Sequence, residues 1–181
     1  MKKIIIQLDK STLLIKRWDA FKLNLSYNDL YEVNEENDSL IIKETKKSLF
    51  KKARVELVLS DKLDSLDITS NSYVELKDVD FVEGYIKGNS DDVELDNVTG
   101  VISNISTTLG DVYIKSSKIE QLTVNSEEGD IIINIKGNEE DYHIECAGMG
   151  DRKLAHNFLK LNSDGNIDYT CQLLVVETTS L

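Results

Sequence analysis

Apolar and polar residues alternate along most of the chain. Apolar side chains recur with a period of two in "IIIQL", "FKLNLSY", "SLIIKE" and "VELVLS", where β-branched residues are frequent. Successive side chains of a strand point to opposite faces, so this period predicts strands with one buried face. The pattern therefore predicts an all-β protein.

One stretch departs from this alternation. In "DRKLAHNFLKL", residues 151–161, the apolar residues Leu154, Phe158 and Leu161 recur every three or four positions. Such spacing is compatible with a short helix as well as with an irregular coil. Both interpretations stay open for this segment.

A two-position apolar phrase recurs every 19 residues. Its first position is held by Val74, Val93, Val112 and Ile131, and its second by Leu76, Leu95, Ile114 and Ile133. Turn sequences such as "KGNSDD", "TTLGD" and "NSEEGD" separate the copies. A period near 20 residues with short strands is typical of a solenoid, in which each repeat forms one coil.

The repeat predicts a parallel β-solenoid, or β-helix-like, stack of 19-residue coils over residues 61–181, with degenerate coils after Ile135. Residues 1–60 lack this period but still alternate, with turns at "SYND" and "NEENDS". We expect them to form an N-terminal antiparallel β cap of the same domain, because a bare solenoid end exposes unpaired backbone groups.

The chain has 181 residues and a net charge of −12. The charge is uneven, since residues 1–55 carry +4 and residues 56–181 carry −16. Such an acidic body repels nucleic-acid backbones and attracts cations or cationic peptides. Nucleic acid is therefore not an expected partner.

The N-terminal sequence "MKKIIIQLDK" resembles the start of a signal peptide, but its apolar run ends at Gln7 and Asp9. No segment approaches the length of a membrane span. On these grounds a cytoplasmic location is expected, with no transmembrane segment.

Asp92, Asp111 and Asp130 precede the first apolar position of three successive copies. In a stack their carboxylates lie close together, which makes them candidate Ca²⁺ ligands. Aspartate in a turn also accepts hydrogen bonds from backbone N–H groups. We favour this turn role, so no metal or other cofactor is predicted.

Two further groups of residues suggest binding to a ligand. The first is a basic run around Leu49 and Phe50, comprising Lys43, Lys46, Lys47, Lys51, Lys52 and Arg54. It could contact an anionic polymer or surface, although a solvated loop has the same composition. The second is the aromatic set Trp18, Tyr85 and Tyr113, which could stack on sugars or simply pack at the surface.

The histidines and cysteines do not form a recognisable catalytic or metal-binding motif. His143 and His156 flank Cys146 and Asp151, and Cys171 follows later, without the spacing of a zinc site. A Cys146–His156 nucleophilic pair lacks an evident orienting residue. No catalytic residues are predicted, and pairing of the two cysteines stays open.

The phrases "LGDVYI", "EGDIII" and "SDGNIDY", preceded by "LDITSNS" and "LTVNSEE", resemble a bacterial adhesin-like domain family of unknown function. Asp91 departs from the pattern, because Gly110 and Gly129 hold its place in later copies. The resemblance implies a non-enzymatic domain linked to cell-envelope stress, with association at the cell surface.

The sequence thus favours a non-catalytic, adhesin-like binding module whose partner is an unknown protein, a cationic peptide or a cell-envelope polymer. Two other functions stay open. One is a carbohydrate-active enzyme on a β-helix, which would need a cleft with shifted pKa values. The other is an intracellular sensor or assembly partner.

Overall fold

The chain forms strands over most of its length. The computed structural model describes residues 2–46 and 53–136, and the backbone of residues 142–147, 150–155, 158–163 and 169–175. The strands are β1 (Lys3–Leu8), β2 (Thr12–Arg17), β3 (Lys22–Leu25), β4 (Tyr31–Glu36), β5 (Ser39–Glu44), β6 (Arg54–Leu59), β7 (Leu63–Ser70), β8 (Val74–Lys77), β9 (Phe81–Lys87), β10 (Val93–Asp96), β11 (Thr99–Thr107), β12 (Val112–Ser126), β13 (Ile131–Ile135), β14 (Tyr142–Ala147), β15 (Gly150–Ala155), β16 (Phe158–Ser163) and β17 (Tyr169–Val175). Within these residues the only helical element is a 3-10 turn, Asn28–Leu30. The all-β prediction is confirmed.

The strands lie in two sheets, and the chain passes repeatedly from one to the other. Sheet A has the order β4-β5-β1-β7-β9-β11-β12-β17-β14. Sheet B has the order β3-β6-β2-β8-β10-β12-β13-β16-β15. The long strand β12 serves both, because the backbone bends at Ser116, where φ is 47°. The pairings between successive passes are parallel, which confirms the solenoid-like class.

Residues 19 positions apart in the sequence are direct neighbours in sheet B. Val93 lies opposite Val74 on one side and Val112 on the other, and Val112 lies opposite Ile131. All four side chains are buried. The repeated apolar positions therefore form continuous rows inside the stack, where burial of each valine or isoleucine contributes about 1.5–3 kcal/mol.

The corner also repeats after three successive sheet-B strands, β8, β10 and the first part of β12. Asp78, Asn97 and Ser116 adopt left-handed backbone conformations, with φ of 55°, 55° and 47°. Asp and Asn tolerate this region better than other non-glycine residues. The Asn97 Nδ2 also donates a 2.5 Å hydrogen bond to the Asp78 Oδ1, which ties one corner to the next.

The N-terminal strands are part of the stack. β1 lies between β5 and β7, and β2 lies between β6 and β8, all in parallel register. The antiparallel cap predicted for residues 1–60 is therefore wrong for β1 and β2, which pair only in parallel. β5 and β6 pair in parallel with β1 and β2 and antiparallel with β4 and β3, and each of the latter forms an edge of its sheet. The buried isoleucines of β1 explain the difference, because they extend the same apolar interior.

The C-terminal strands end the stack with antiparallel pairs. β16 pairs antiparallel with β13, and β17 with β12, so these strands are not the degenerate parallel coils predicted for this part. Residues 150–155 and 158–163 are strands, which corrects the helix or irregular coil expected over 151–161. Pairing with β13 satisfies the backbone groups that local apolar spacing alone would have assigned to a helix.

Candidate functional site

The outer face of sheet B carries two rows of side chains that run across the strands. Strand alternation turns these residues to the outer face, and the register aligns them, although Val58 and Leu14 are buried there. The basic row consists of Lys22, Val58, Lys16, Lys77, Asp96 and Lys115. The acidic row consists of Asn24, Glu56, Leu14, Glu75, Glu94 and Tyr113. Adjacent members of each row are one strand spacing apart, about 4.8 Å.

A groove opens over the first four members of each row, on strands β3, β6, β2 and β8. Its volume is about 860 Å³. The remaining lining residues come from the segment after β2, the start of β6 and the corner after β8: Arg17, Trp18, Ala20, Phe21, Arg54 and Asp78. The groove has the size of a typical small-molecule or oligomer site.

Two aromatic side chains stand at the groove without entering the core. Trp18, the single tryptophan of the chain, is 71% exposed, and Phe21 is 41% exposed. The backbone N–H of Trp18 donates a 2.8 Å hydrogen bond to the Leu59 carbonyl, which fixes the segment after β2 against β6. Exposed aromatic rings beside cations are characteristic of binding surfaces.

Ion pairs hold part of the cationic charge of the groove. The Lys16 Nζ lies 2.6 Å from the Glu56 Oε1, and Arg17 pairs with Asp80. The hydrogen bond from Lys16 holds the pKa of Glu56 below its ordinary value, against the opposing effect of desolvation. Glu56 is therefore ionised at neutral pH, and the Lys16 ammonium group is already engaged in the ion pair with it.

The other cations of the groove have no such partner. Lys22, Arg54 and Lys77 are exposed and form no ion pair with any residue that the structure describes. Arg54 still attracts Glu56, and Lys77 attracts Glu94, without forming an ion pair. The groove lining has five cationic and three carboxylate side chains, which is a local excess of positive charge in a chain of net charge −12.

The aspartates proposed as Ca²⁺ ligands bind backbone donors. The Asp111 N–H donates to the Asp92 Oδ1 over 2.9 Å, and the Asp130 N–H donates to the Asp111 Oδ1 over 2.8 Å. No group of three or more metal-ligating side chains occurs among the described residues. The geometry matches the turn role, in which each carboxylate stabilises the next coil.

The glycines beside these aspartates allow the coils to approach closely. A Cβ on Gly110 would lie 2.1 Å from the Asp91 carbonyl oxygen, and one on Gly129 would lie 2.2 Å from the Gly110 carbonyl oxygen. Asp91 itself fits because it stacks on Ser72, whose Oγ donates to the Asp91 carboxylate over 3.2 Å. Asp91 thus departs from the glycine pattern at one coil, where Ser72 is its hydrogen-bond donor.

Two tyrosines extend the polar contacts along the acidic row. The Tyr113 hydroxyl donates to the Asp111 Oδ2 over 2.8 Å, and the Tyr73 hydroxyl donates to the Glu94 Oε2 over 2.9 Å. The bond to Asp111, partial burial and nearby carboxylates raise the pKa of Tyr113 to about 12. Burial, followed by the bond to Glu94, raises the pKa of Tyr73.

The remaining candidates from the sequence do not converge on one place. Lys43 and Lys46 of the basic run lie outside the groove, Arg54 lines it, and residues 47–52 are outside the described part of the chain. Tyr85 is 44% exposed on sheet A, away from Trp18 on the sheet-B side.

The histidine and cysteine candidates lie in the C-terminal strands. His156 is outside the described residues, whereas His143 and Cys146 belong to β14. The antiparallel register of β14 and β17 places Cys146 opposite Cys171.

The sequence interpretation missed Arg17, Phe21, Lys22 and Lys77 as members of a site. The alternation does place Lys22 and Lys77 on outer faces. The alternation does not reveal the strand order. β2 and β8 are neighbours in sheet B, although Lys16 and Lys77 are far apart in the sequence.

No helix of sufficient length and apolar character to cross a bilayer is present in the described part of the chain. A comparison with curated proteins found no match. A family model, Toastrack DUF4097, matches residues 3–156. This match spans both sheets and most of the chain, and the protein therefore belongs to the Toastrack family of domains of unknown function.

Proposed function

We propose that this Toastrack domain is a non-catalytic, adhesin-like binding module linked to the bacterial cell envelope, and that the groove on sheet B holds its ligand. One observation carries the proposal: the single tryptophan is 71% exposed at the rim of a groove whose lining has more cations than carboxylates. Leaving a tryptophan in water forfeits the free energy of its burial, which a ligand would recover.

The scaffold supports a binding role because the strands beneath the groove are paired on both sides and anchored in the core. β2 is hydrogen-bonded to β6 on one side and to β8 on the other, and Leu13 and Ile15 anchor it in the core. Side chains on the outer face of such a sheet are held in fixed register, which lowers the entropy lost on binding.

The charge state of the groove favours binding over catalysis. General-acid catalysis at neutral pH needs a carboxyl group whose pKa is raised. In the described residues the shifted carboxyl groups, Glu56 and Glu94, have lowered pKa values, because Lys16 and Lys115 donate to them. These carboxylates act as ion-pair partners, and the β-helix enzyme is accordingly the less favoured alternative.

The emission of Trp18 provides a direct test, since no other tryptophan contributes to the signal. Polygalacturonate, dextran, poly-glutamate and poly-lysine are titrated into the full chain, and binding is confirmed by calorimetry. We expect a saturable emission change with at least one of these polymers. The Trp18→Ala variant has no tryptophan emission, so its loss of binding is measured by calorimetry.

Tyr85→Ala provides the matched control, because Tyr85 is an exposed aromatic residue on the other sheet. This variant should bind as the wild type does. Absence of saturable binding to all four polymers, or equal binding by Trp18→Ala, would refute a groove-based binding function.

A further inference from the structure

We infer that the ligand of the groove is an anionic glycan, a sugar chain with carboxylate or phosphate groups separated by neutral hydroxyl-bearing stretches. This inference rests on the proposed binding function and adds the ligand class. It comes from the arrangement of charge, hydroxyl-binding groups and aromatic rings within the groove.

The cations lie along a line that a chain-like ligand can follow. Lys22, Lys16 and Lys77 occupy the basic row on β3, β2 and β8, with Val58 of β6 between the first two. Arg54 lies at the start of β6 and lines the same groove. Lys16 already pairs with Glu56. An extended polymer lying across the strands would therefore meet the other cations of the row, Lys22 and Lys77, three strand spacings apart, about 14 Å, with Arg54 on β6 between them.

The balance of charge selects a ligand with few negative groups. Lys22, Arg54 and Lys77 have no ion-pair partner in the described structure, so they can take up anions. Glu75 and Asp78 line the same groove and repel a densely charged polyanion such as nucleic acid. Their carboxylates can instead accept hydrogen bonds from sugar hydroxyls between the anionic groups.

The aromatic residues favour a sugar ring. Trp18 and Phe21 both line the groove beside these cations, and both rings are accessible. The faces of aromatic rings carry partial negative charge, which attracts the weakly positive C–H groups on the flat side of a pyranose. A ligand in which charged groups alternate with pyranose faces can contact both the cations and the aromatic rings of the groove.

An acidic peptide fits the groove less well. Peptides that bind sheets gain much of their affinity by hydrogen bonding to an open strand edge. The central strands of the groove floor have no open edge, because β6 pairs with β3 and β2, and β2 pairs with β6 and β8. Strand addition at this groove is therefore limited to β3, the edge strand of sheet B. Only side chains are available to a ligand above them.

The test compares ligands that differ only in charge. Oligogalacturonate and its methyl ester have the same sugar backbone, and the ester removes the carboxylate charge. Titration of the full chain, followed by Trp18 emission and calorimetry, should show binding of oligogalacturonate that is at least about tenfold tighter than binding of the ester. A phosphate-bearing glucan tested in parallel determines whether phosphate also serves, and binding of either anion supports the inference.

Charge-neutral variants locate the binding site. Lys22→Gln with Lys77→Gln should weaken binding of the charged oligomer by about tenfold or more, with the melting temperature unchanged, since both side chains are exposed. Lys87→Gln with Lys118→Gln is the matched control, because these exposed lysines belong to sheet-A pairings. The control pair should bind as the wild type does.

The outcomes separate the ligand class from the binding function. Equal binding of the ester and the acid, or tighter binding of poly-glutamate, with dependence on Trp18 in either case, would overturn the glycan inference and leave the binding function standing. Equal weakening by both lysine pairs would show that overall charge governs binding and would also overturn the inference. Absence of binding by every probe would refute both.

Discussion

The backbone N–H of Asp130 donates a 2.8 Å hydrogen bond to the Oδ1 of Asp111, which precedes it by 19 residues. The Asp111 N–H makes the same bond to Asp92. Each of these two carboxylates therefore receives a backbone donor from the next coil, which offsets the repulsion between stacked negative charges. The two hydrogen bonds join the turns of three successive coils.

We therefore expect millimolar Ca²⁺ to leave the melting temperature unchanged, because an ion stabilises a protein only through affinity for its folded state. The triple variant Asp92→Asn, Asp111→Asn, Asp130→Asn should melt within a few degrees of the wild type, because asparagine retains a side-chain oxygen acceptor. The triple alanine variant is the control, and each lost hydrogen bond should cost about 1 kcal/mol. A Ca²⁺-dependent rise of several degrees that disappears in the asparagine variant would contradict the turn role.

Tyr113 should titrate unusually late because its hydroxyl donates to Asp111. The raised pKa, about 12, means that the protonated form contributes stability below the ordinary tyrosine pKa of about 10, and that this contribution is lost as the pH rises through 12. Tyrosinate absorbance, taken as the difference between wild type and Tyr113→Phe, measures this pKa. Asp111→Asn should lower it, and an unchanged pKa in that variant would exclude the carboxylate as its main cause.

Val93 and Glu94 test the two faces of one strand. Val93 is fully buried between Val74 and Val112, so Val93→Asp should destabilise the fold by more than about 4 kcal/mol, as an unpaired charge in the core does. Glu94 faces outward but accepts hydrogen bonds from Tyr73 and Lys115. Its substitution is therefore not silent, and Glu94→Lys should cost about 1 kcal/mol in urea unfolding.

Glu94 also makes a pH-dependent contribution. The hydrogen bond from Lys115 lowers its pKa in the folded state, so the contribution is present above the ordinary glutamate pKa of about 4.3 and is lost as the pH falls through the lowered value. Glu94→Gln should be less stable than the wild type at pH 7, and the difference should shrink on acidification. A difference that stays constant from pH 7 to pH 3 would show that the charge plays no part.

The repeat made the interior of the stack predictable. A 19-residue period combined with strand alternation places Val93 and Val112 inside and Glu94 outside, and the register agrees. Both periods can be read directly from the sequence. They therefore locate a side chain on a face without any knowledge of the strand order.

The groove depends on contacts that no period encodes. β1 and β2 insert between passes that follow them in the sequence, and this order brings Lys16 beside Lys77. A second long-range contact helps to hold the inserted segment, because the Glu44 carboxylate accepts the backbone N–H groups of Asp9, Lys10 and Ser11. A lone glutamate at the end of β5 gives no sign of such a role in the sequence.

Phe81 fills space that two glycines leave open. A Cβ on Gly100 would lie 2.6 Å from the Phe81 Cε2, and one on Gly84 would lie 2.7 Å from the same atom. Phe81 is fully buried, so its ring cannot move aside without disturbing the core. Large and small residues in adjacent coils are thus matched to each other.

A double-mutant cycle measures this match. Gly100→Ala should destabilise the wild type by about 1–3 kcal/mol through overpacking, and Phe81→Leu should cost a similar amount through lost contacts. The double variant should be more stable than the sum of the two losses predicts, by about 1 kcal/mol, because the smaller leucine gives the new methyl group room. Gly110→Ala is the control, since its Cβ would meet the Asp91 backbone oxygen, and Phe81→Leu should not rescue it. Urea unfolding of all variants provides the free energies, and additive losses at Gly100 would show that the ring and the glycine do not share one space.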